Sequence, residues 1–211
     1  WGRSYPSKTL ANLPELKPGD YLADVLTGEA VKFIHANKSR PFLAVLSHYL
    51  VHTPVQPKPE LVASYANARK TDQANPQYAA MVQSLDQSVG RIMEALEQEG
   101  LTENTMVVFT SDNGGLIKRY DYQEETDDIV SDLAPLKGEK GSLHEGGIRV
   151  PLIVKYPGVV NAGTTCSEPA ISYDFYPTFV EAGKGKLPTN QTIDGLNILP
   201  LFQNPKVKLN R

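Results

Sequence analysis

The sequence predicts an α/β fold, and three observations support that prediction. Segments with helical spacing of apolar residues alternate along the chain with short apolar runs typical of buried strands. The chain has 211 residues, of which 40% are hydrophobic and 21% charged, as in an ordinary globular protein. No internal repeat interrupts this alternation. The length therefore predicts one large domain, or part of a larger one.

The first half of the chain predicts three helices and one strand. Apolar residues from Gly19 to Ala36 follow a three-four spacing, which predicts a helix. The apolar run Pro41–Ser47 is typical of a buried strand. A short helix is predicted around Glu60–Ala66 after a proline. The clearest amphipathic helix spans Tyr78–Leu96, and Gly100 is placed to end it.

The second half predicts two strands, a long loop and a helix. Thr105–Thr110 reads as a strand that runs into the polar turn Ser111–Gly115, at the strand end where ligands usually bind in α/β sheets. The polar stretch from Ile117 to Ala134 predicts a long loop, either functional or mobile, whose acidic residues face solvent. Val150–Lys155 predicts a third strand, and Asp174–Val180 a last helix.

Composition excludes several classes of protein. With 21 basic against 24 acidic residues the net charge is -3, which argues against a nucleic-acid binder that neutralises phosphates. No stretch approaches about 18 uncharged apolar residues, so no membrane span is predicted. The only cysteine, Cys166, excludes an internal disulfide framework and a cysteine-rich metal site. The glycine-rich phosphate loop and the Gly-x-Ser-x-Gly elbow are also missing.

Asp112 and Asn113 are candidate metal ligands. They follow a predicted strand and precede Gly114 and Gly115, so a carboxylate and an amide oxygen stand next to flexible backbone. Oxygen donors of this kind suit a hard cation such as calcium or magnesium. The alternative interpretation is a plain polar turn, in which Asp and Asn bond their own backbone.

Lys140 and His52 are candidate anion-binding residues. Lys140 lies between Gly138 and Gly141, where its ammonium group could approach sulfate or phosphate oxygens. His52 could donate a hydrogen bond to a bound oxyanion or act as an acid toward a leaving oxygen. The alternatives are a solvated loop lysine and a structural loop histidine.

Four segments in order resemble the sulfatase family of the alkaline phosphatase superfamily. The resemblance covers about residues 21–201, and it rests on these pieces: Pro41–His48 with Val51–Pro54; Thr110–Gly115; Leu136–Gly141 continuing through Glu145–Val154; and Tyr173–Thr178. It implies an incomplete alkaline-phosphatase-like mixed sheet flanked by helices. It also implies a sulfuric ester hydrolase that depends on one calcium ion and a formylglycine nucleophile.

The resemblance implies a role for each candidate residue. Asp112 and Asn113 are expected to be two calcium ligands, with further ligands supplied from outside this sequence. Lys140 is expected to bind sulfate oxygens, and His52 to contact the sulfate or the leaving oxygen. These last two are the catalytic and substrate-binding candidates. Three residues of the family pattern, Gly146, Gly147 and Arg149, are expected to shape a loop and strand, and Asp174 to cap a helix.

One departure from the family is large. The formylglycine arises from a Cys/Ser-x-Pro-x-Arg motif, and two more metal-binding aspartates accompany it near the amino terminus. The surroundings of Cys166 do not fit this motif, and Ser4–Lys8 imitates it but ends in Lys. We therefore expect residues 1–211 to be part of a sulfatase catalytic domain without its nucleophile segment or carboxyl-terminal subdomain, and inactive alone.

Several alternatives stay open from the sequence. A phosphate or phosphonate ester hydrolase of the same superfamily would use the same metal and lysine chemistry. A fragment that binds sulfated glycans without hydrolysis is a second alternative. The pair His48 and Tyr49 and the long stretch from Ile117 to Ala134 are expected to face the leaving group, which favours a sulfated sugar over a small aryl ester as substrate. The family also suggests an extracytoplasmic setting.

Overall fold

A computed structural model describes residue 13 and residues 16–66, 75–121 and 124–210 of the chain, and the side chains of 119–128 fall outside this description. The imitation motif Ser4–Lys8 lies outside the described residues. The chain divides into two compact units, one formed by residues up to Thr102 with Asn113–Arg149, the other by Glu103–Asp112 with Val150–Arg211. In chain order the elements are α1 Leu22–Asn37, α2 Pro59–Ala66, α3 Pro76–Gln98, β1 Val107–Thr110, β2 Lys118–Asp121, β3 Glu124–Ile129, α4 Glu145–Ile148, β4 Leu152–Lys155, α5 Phe175–Ala182 and α6 Leu199–Gln203.

The three predicted helices of the first unit are confirmed as α1, α2 and α3. The N-terminus of α3 is capped by Asn75, whose side-chain oxygen accepts the N–H groups of Gln77 and Tyr78, both at 3.0 Å. Pro76 follows the cap, where its missing N–H has no cost. Gly100 adopts a positive φ of 68°, so it allows the chain to leave the helix. No helix among the described residues has both the length and the apolarity to cross a membrane.

The buried face of α3 is more polar than its apolar spacing predicts. Ser84 and Ser88 are buried, whereas Val82 is 42% exposed. Ser84 donates to the Ala80 carbonyl at 3.1 Å, and Ser88 bonds Thr27 of α1 at 2.6 Å. Small side chains let α1 and α3 approach closely, and their hydroxyls are paired instead of being left unsatisfied.

The prediction of a buried strand over Pro41–Ser47 is wrong. The segment lies in no ladder formed by the residues that the structure describes, and Leu43 and Val45 are 66% and 78% exposed. Apolar composition indicates suitability for a strand, but a strand forms only where a partner offers backbone hydrogen bonds. The segment is instead attached to α1 through Phe42, whose ring meets Phe33 edge-on at 5.7 Å.

The prediction of a long loop over Ile117–Ala134 is also wrong. The strands β2 and β3 pair antiparallel, with Lys118 opposite Ile129 and a register irregularity between Lys118 and Tyr120. Acidic residues have low strand propensity, yet backbone pairing outweighs that preference here. The pair continues to Val130, which is buried and donates its N–H to the Ile117 carbonyl at 2.7 Å.

The second unit contains the two other predicted strands, which are confirmed as β1 and β4. They pair antiparallel, from Val107 opposite Lys155 to Thr110 opposite Leu152. Within the described residues, each of the two sheets has two antiparallel strands. The strand β1 ends directly before Ser111 and Asp112, as the sequence predicts.

The last predicted helix is confirmed as α5, and Asp174 fixes its start. This carboxylate is fully buried. Its Oδ2 accepts the Ile171 N–H and its Oδ1 accepts the Leu196 N–H, both at 2.9 Å. The Thr178 hydroxyl donates to the Asp174 carbonyl at 2.6 Å and accepts the Ile198 N–H at 2.9 Å. Asp174 thus occupies the predicted N-cap position of α5, but its side chain makes no capping hydrogen bond to that helix. It instead binds the N–H group before the preceding turn and joins it to the segment before α6.

We expect Asp174→Ala to destabilise the protein. Two part-buried backbone N–H groups would lose the fully buried carboxylate that accepts them, which costs about 1–3 kcal/mol of unfolding free energy. Asp174→Asn keeps one acceptor oxygen and is expected to cost less. Urea unfolding followed by circular dichroism checks the order. Equal midpoints for the wild type and both variants would contradict it.

Candidate active site

The site of the first unit is built on four glycines, Gly114, Gly138, Gly146 and Gly147, which we call the glycine cradle. Gly114 donates its N–H to the Gly147 carbonyl, and Gly146 donates to the Lys137 carbonyl, both at 2.8 Å. A Cβ on Gly114 would collide with the Gly146 carbonyl oxygen, and one on Gly146 with the Gly138 carbonyl oxygen. Backbone therefore packs directly on backbone, which only glycine allows.

The cradle fixes the loop that carries Lys140. The Lys140 N–H donates to the Gly115 carbonyl at 2.8 Å. The neighbouring Glu139 carboxylate accepts the Ile117 N–H at 2.6 Å. Gly138, with a φ of 81°, gives the loop a turn that residues with a Cβ rarely adopt. Hydrogen bonds at Lys140 and at Glu139 consequently hold the backbone of this loop in place. They fix the position from which the Lys140 side chain extends.

Lys140 and His52 meet through their side chains. Lys140 Nζ lies 2.8 Å from His52 Nε2, and His52 Nδ1 lies 2.6 Å from the Thr53 carbonyl oxygen. A carbonyl only accepts, so Nδ1 carries the hydrogen, and an ammonium only donates, so Nε2 accepts. His52 is therefore a neutral imidazole in this pair. The structure brings together two predicted anion-binding residues that are 88 positions apart.

This geometry bears on the predicted chemistry of His52. With its Nε2 lone pair directed at Lys140, the ring is a hydrogen-bond acceptor rather than a donor. To donate to an oxyanion or a leaving oxygen, Nε2 must first take up a proton. Lys140 supplies the positive charge of the pair. Its ammonium group has further hydrogens for anion oxygens beside the one directed at His52.

The predicted metal ligands are placed as follows. Asp112 is exposed directly after β1 in the second unit. Asn113 opens the first unit's loop and donates its amide nitrogen to the Gly114 carbonyl at 2.9 Å, so its Oδ1 is the atom suited to a cation. Both residues offer the oxygen donors that calcium prefers, but two ligands are far fewer than the roughly six to eight it takes. Among the described residues no cluster of three or more His, Cys, Asp or Glu could hold a metal ion.

His48 has contacts that the sequence did not predict. Its Nε2 lies 2.7 Å from Ser88 Oγ on α3, and Ser88 Oγ lies 2.6 Å from Thr27 Oγ1 on α1. The sequence predicts only that His48 and Tyr49 face a leaving group. Tyr49 is 39% exposed, whereas His48 is partly buried against α3. In the sequence, the serines among the apolar positions of α3 were the feature that could have indicated the contact between His48 and Ser88.

The other family residues have structural roles. Gly146 and Gly147 lie in α4 and shape the loop as expected. Arg149 follows α4, and its guanidinium donates to the Glu145 carboxylate at 3.2 Å on the surface. An exposed pair of this kind contributes little stability. We therefore assign Gly146 and Gly147, but not Arg149, to the frame of the site.

The first unit presents a loop lysine and a histidine on a glycine frame, and the chemistry of these two side chains suits a bound oxyanion. Comparison with known proteins makes the assignment specific. The family model described as Sulfatase matches residues 2–185, and the chain belongs to the sulfatase family.

Individual relatives agree with this assignment. A curated sulfatase of Formosa agariphila is 37% identical over 87% of this chain and 34% of its own length. The crystal structure of Ps i-CgsB in complex with k-i-k-neocarrahexaose has a TM-score of 0.79 at 37% identity, covering 92% of this chain and 41% of that one. The PsFucS1 sulfatase from Pseudoalteromonas sp. has a TM-score of 0.72 at 30% identity, over 90% of this chain and 36% of that one.

These comparisons confirm the predicted fold class. The chain has the alkaline-phosphatase-like fold of the sulfatases, represented in part. It spans about a third of the length of the curated sulfatase to which it is similar.

We expect Gly146→Ala to destabilise the first unit by about 1–3 kcal/mol, because the added Cβ forces neighbouring backbone apart. Gly90→Ala is the matched control: a Cβ there meets nothing within 4 Å, and the position is inside α3. That control should raise stability by about 0.5–1 kcal/mol. Thermal unfolding of both variants measures the contrast. A Gly146→Ala variant as stable as Gly90→Ala would refute the proposed role of the cradle.

We expect stability to depend on pH through His48. Burial lowers the pKa of His48 below its ordinary 6.5, because the charged ring is disfavoured. The unfolded chain then binds the proton more readily, so this contribution is present above pH 6.5 and is lost as the pH falls toward the folded pKa. Urea midpoints at pH 7.5 and 5.0 should fall less for His48→Gln than for the wild type. An identical acid dependence would contradict the prediction.

Proposed function

We propose that the protein to which these residues belong hydrolyses sulfate esters. The observation that carries the proposal is the contact between Lys140 Nζ and His52 Nε2 on the glycine cradle of a sulfatase-family chain. A fixed ammonium group offsets negative charge on a sulfuryl group as it transfers. Because the chain spans about a third of a curated sulfatase, the complete activity is proposed for a longer protein.

The residues of this chain would bind and orient the ester. Lys140 would hold sulfate oxygens through the hydrogens not directed at His52. His52 would meet the sulfate or the leaving oxygen, and it would donate there after taking up a proton at Nε2. Asp112 and Asn113 would supply two oxygen ligands of a calcium ion. When bound, that ion would add positive charge at the sulfate oxygens.

We propose that the nucleophile comes from another stretch of the protein. No segment of the 211 residues carries the Cys/Ser-x-Pro-x-Arg motif from which formylglycine is made. The further calcium ligands would come from the same source, since two oxygen donors do not complete the ion's shell. Residues 1–211 would then be the central to carboxyl-terminal part of a catalytic domain, and inactive alone.

A sulfated carbohydrate is the proposed substrate class. Support comes from Ps i-CgsB, which was crystallised with k-i-k-neocarrahexaose and is 37% identical to this chain. We further propose an extracytoplasmic setting, in keeping with the family. No nucleic-acid partner is proposed, because the net charge of -3 offers no general attraction to phosphates.

We expect Lys140→Ala and His52→Ala in the full-length protein to lower kcat/KM for a sulfate ester by about 100-fold or more, the usual cost of removing one charge-stabilising group. Lys32→Ala is the control, since Lys32 lies on α1 and pairs with Glu29 on the surface. Turnover of 4-nitrophenyl sulfate with and without a calcium chelator provides the measurement. Full activity in the Lys140→Ala variant would overturn the site assignment.

The same assay separates the alternative functions. Faster turnover of 4-nitrophenyl phosphate or a phosphonate ester than of the sulfate would favour the phosphate or phosphonate hydrolase. Binding of a sulfated sugar without hydrolysis and without calcium dependence would favour the non-catalytic glycan-binding protein. Either result would replace the proposed function.

A further inference from the structure

We propose that His48 is a positioning residue for His52. Through Ser88 and Thr27 it attaches the start of the segment His48–His52 to two helices, and it thereby fixes where the His52 ring meets Lys140. The inference deepens the proposed function and rests on the role of His52 in it. His48 itself needs no contact with substrate for this role.

The direction of each hydrogen bond in this connection follows from the chemistry of its atoms. Thr27 Oγ1 donates its hydrogen to the Ala23 carbonyl at 2.6 Å. Ser88 must therefore donate to Thr27 Oγ1, since a hydroxyl has one hydrogen. With that hydrogen used, Ser88 Oγ accepts from His48, whose Nε2 carries a hydrogen. His48 is thus the Nε2–H tautomer, the opposite of His52.

Burial restricts these hydrogen bonds to one set of donors and acceptors. Thr27 is fully buried and Ser88 is 4% exposed, so water does not substitute for a missing partner. His48 Nδ1 is also buried, and among the described residues it has no hydrogen-bond partner. A hydrogen placed on Nδ1 would find no acceptor. Only one protonation state of the ring therefore satisfies the connection.

The connection reaches His52 through a short turn. The His52 N–H donates to the Tyr49 carbonyl at 2.9 Å, so the backbone from Tyr49 to His52 forms a hydrogen-bonded turn directly after His48. The His52 ring is then oriented by its bond to the Thr53 carbonyl. One end of this turn is fixed on α3 by His48, and the other presents Nε2 to Lys140. Loss of the Ser88 bond would release the first end.

Nitrogen NMR of the histidine rings at neutral pH tests the proposal in the full-length protein, because it distinguishes protonated from bare ring nitrogens. The wild type should show His48 protonated at Nε2 and His52 at Nδ1. Ser88→Ala should shift the His52 ring signals, whereas Ser84→Ala should not. Ser84 is the matched control: it is buried one turn earlier on α3 and bonds its own helix.

Replacement of His48 adds a second measurement. His48→Ala should shift the His52 signals and lower kcat/KM by about 10- to 100-fold, the usual effect of a misplaced reacting group. His48→Gln, whose amide can donate to Ser88, should restore the His52 signals and most of the activity. Rescue by Gln would not be expected if the histidine only filled space.

Three results would overturn the proposal: a hydrogen on His48 Nδ1 in the wild type, unchanged His52 signals in Ser88→Ala, or equal shifts in Ser88→Ala and Ser84→Ala. The NMR measurement does not require turnover. If the His52 signals respond as expected while the protein hydrolyses no sulfate ester, the positioning role stands and the proposed function fails.

Discussion

The direct packing of backbone on backbone in the glycine cradle is the constraint on which the site depends. Gly114 contacts Gly146 and Gly147, and Gly146 contacts Gly138, at separations that leave no space for a Cβ. These backbone contacts hold the loop that carries Lys140, and the Glu139 carboxylate adds one side-chain hydrogen bond to them. Glycine loses much conformational entropy on folding, so the backbone bonds across the cradle have to offset that cost.

A second frame, formed by polar contacts between α1 and α3, complements the cradle. Ser88 and Thr27 occupy buried positions where apolar side chains would add hydrophobic stabilisation. Each hydrogen bond adds only about 1 kcal/mol net, yet leaving one unmade in the core costs more. The main effect of such a hydrogen bond is therefore to select one arrangement of the two helices, and its contribution to stability is small. The loop of His52 is fixed by this specificity, as the loop of Lys140 is fixed by glycine.

The sequence predicted those parts of the fold that depend on local pattern. The helix α3 followed from its spacing and from Gly100, and β1 and β4 from short apolar runs. The prediction of a strand over Pro41–Ser47 was wrong because a strand needs a pairing partner, and composition does not reveal one. The hairpin of β2 and β3 was missed because pairing outweighed the low strand propensity of acidic residues. Lys140 and His52 were candidates from their side-chain chemistry and loop positions, and the resemblance assigned their roles. The hydrogen positions on the histidines were out of reach, because they depend on partners 40 and 88 residues away.

The protonation state of Lys140 and His52 bears on whether the site prefers a sulfate or a phosphate ester. A sulfate monoester carries one negative charge at neutral pH, whereas a phosphate monoester carries about 1.5 to 2. Lys140 with a neutral His52 offers one positive charge from side chains, since the ammonium donates to the ring and the ring adds no charge. The charge of the two side chains before any proton is taken up therefore matches that of the singly charged ester. A proton taken up at His52 Nε2 would place two positive charges side by side, and a bound anion between them would offset that repulsion for either ester. A calcium ion would add its own charge to the site, so the side chains account for only part of the preference.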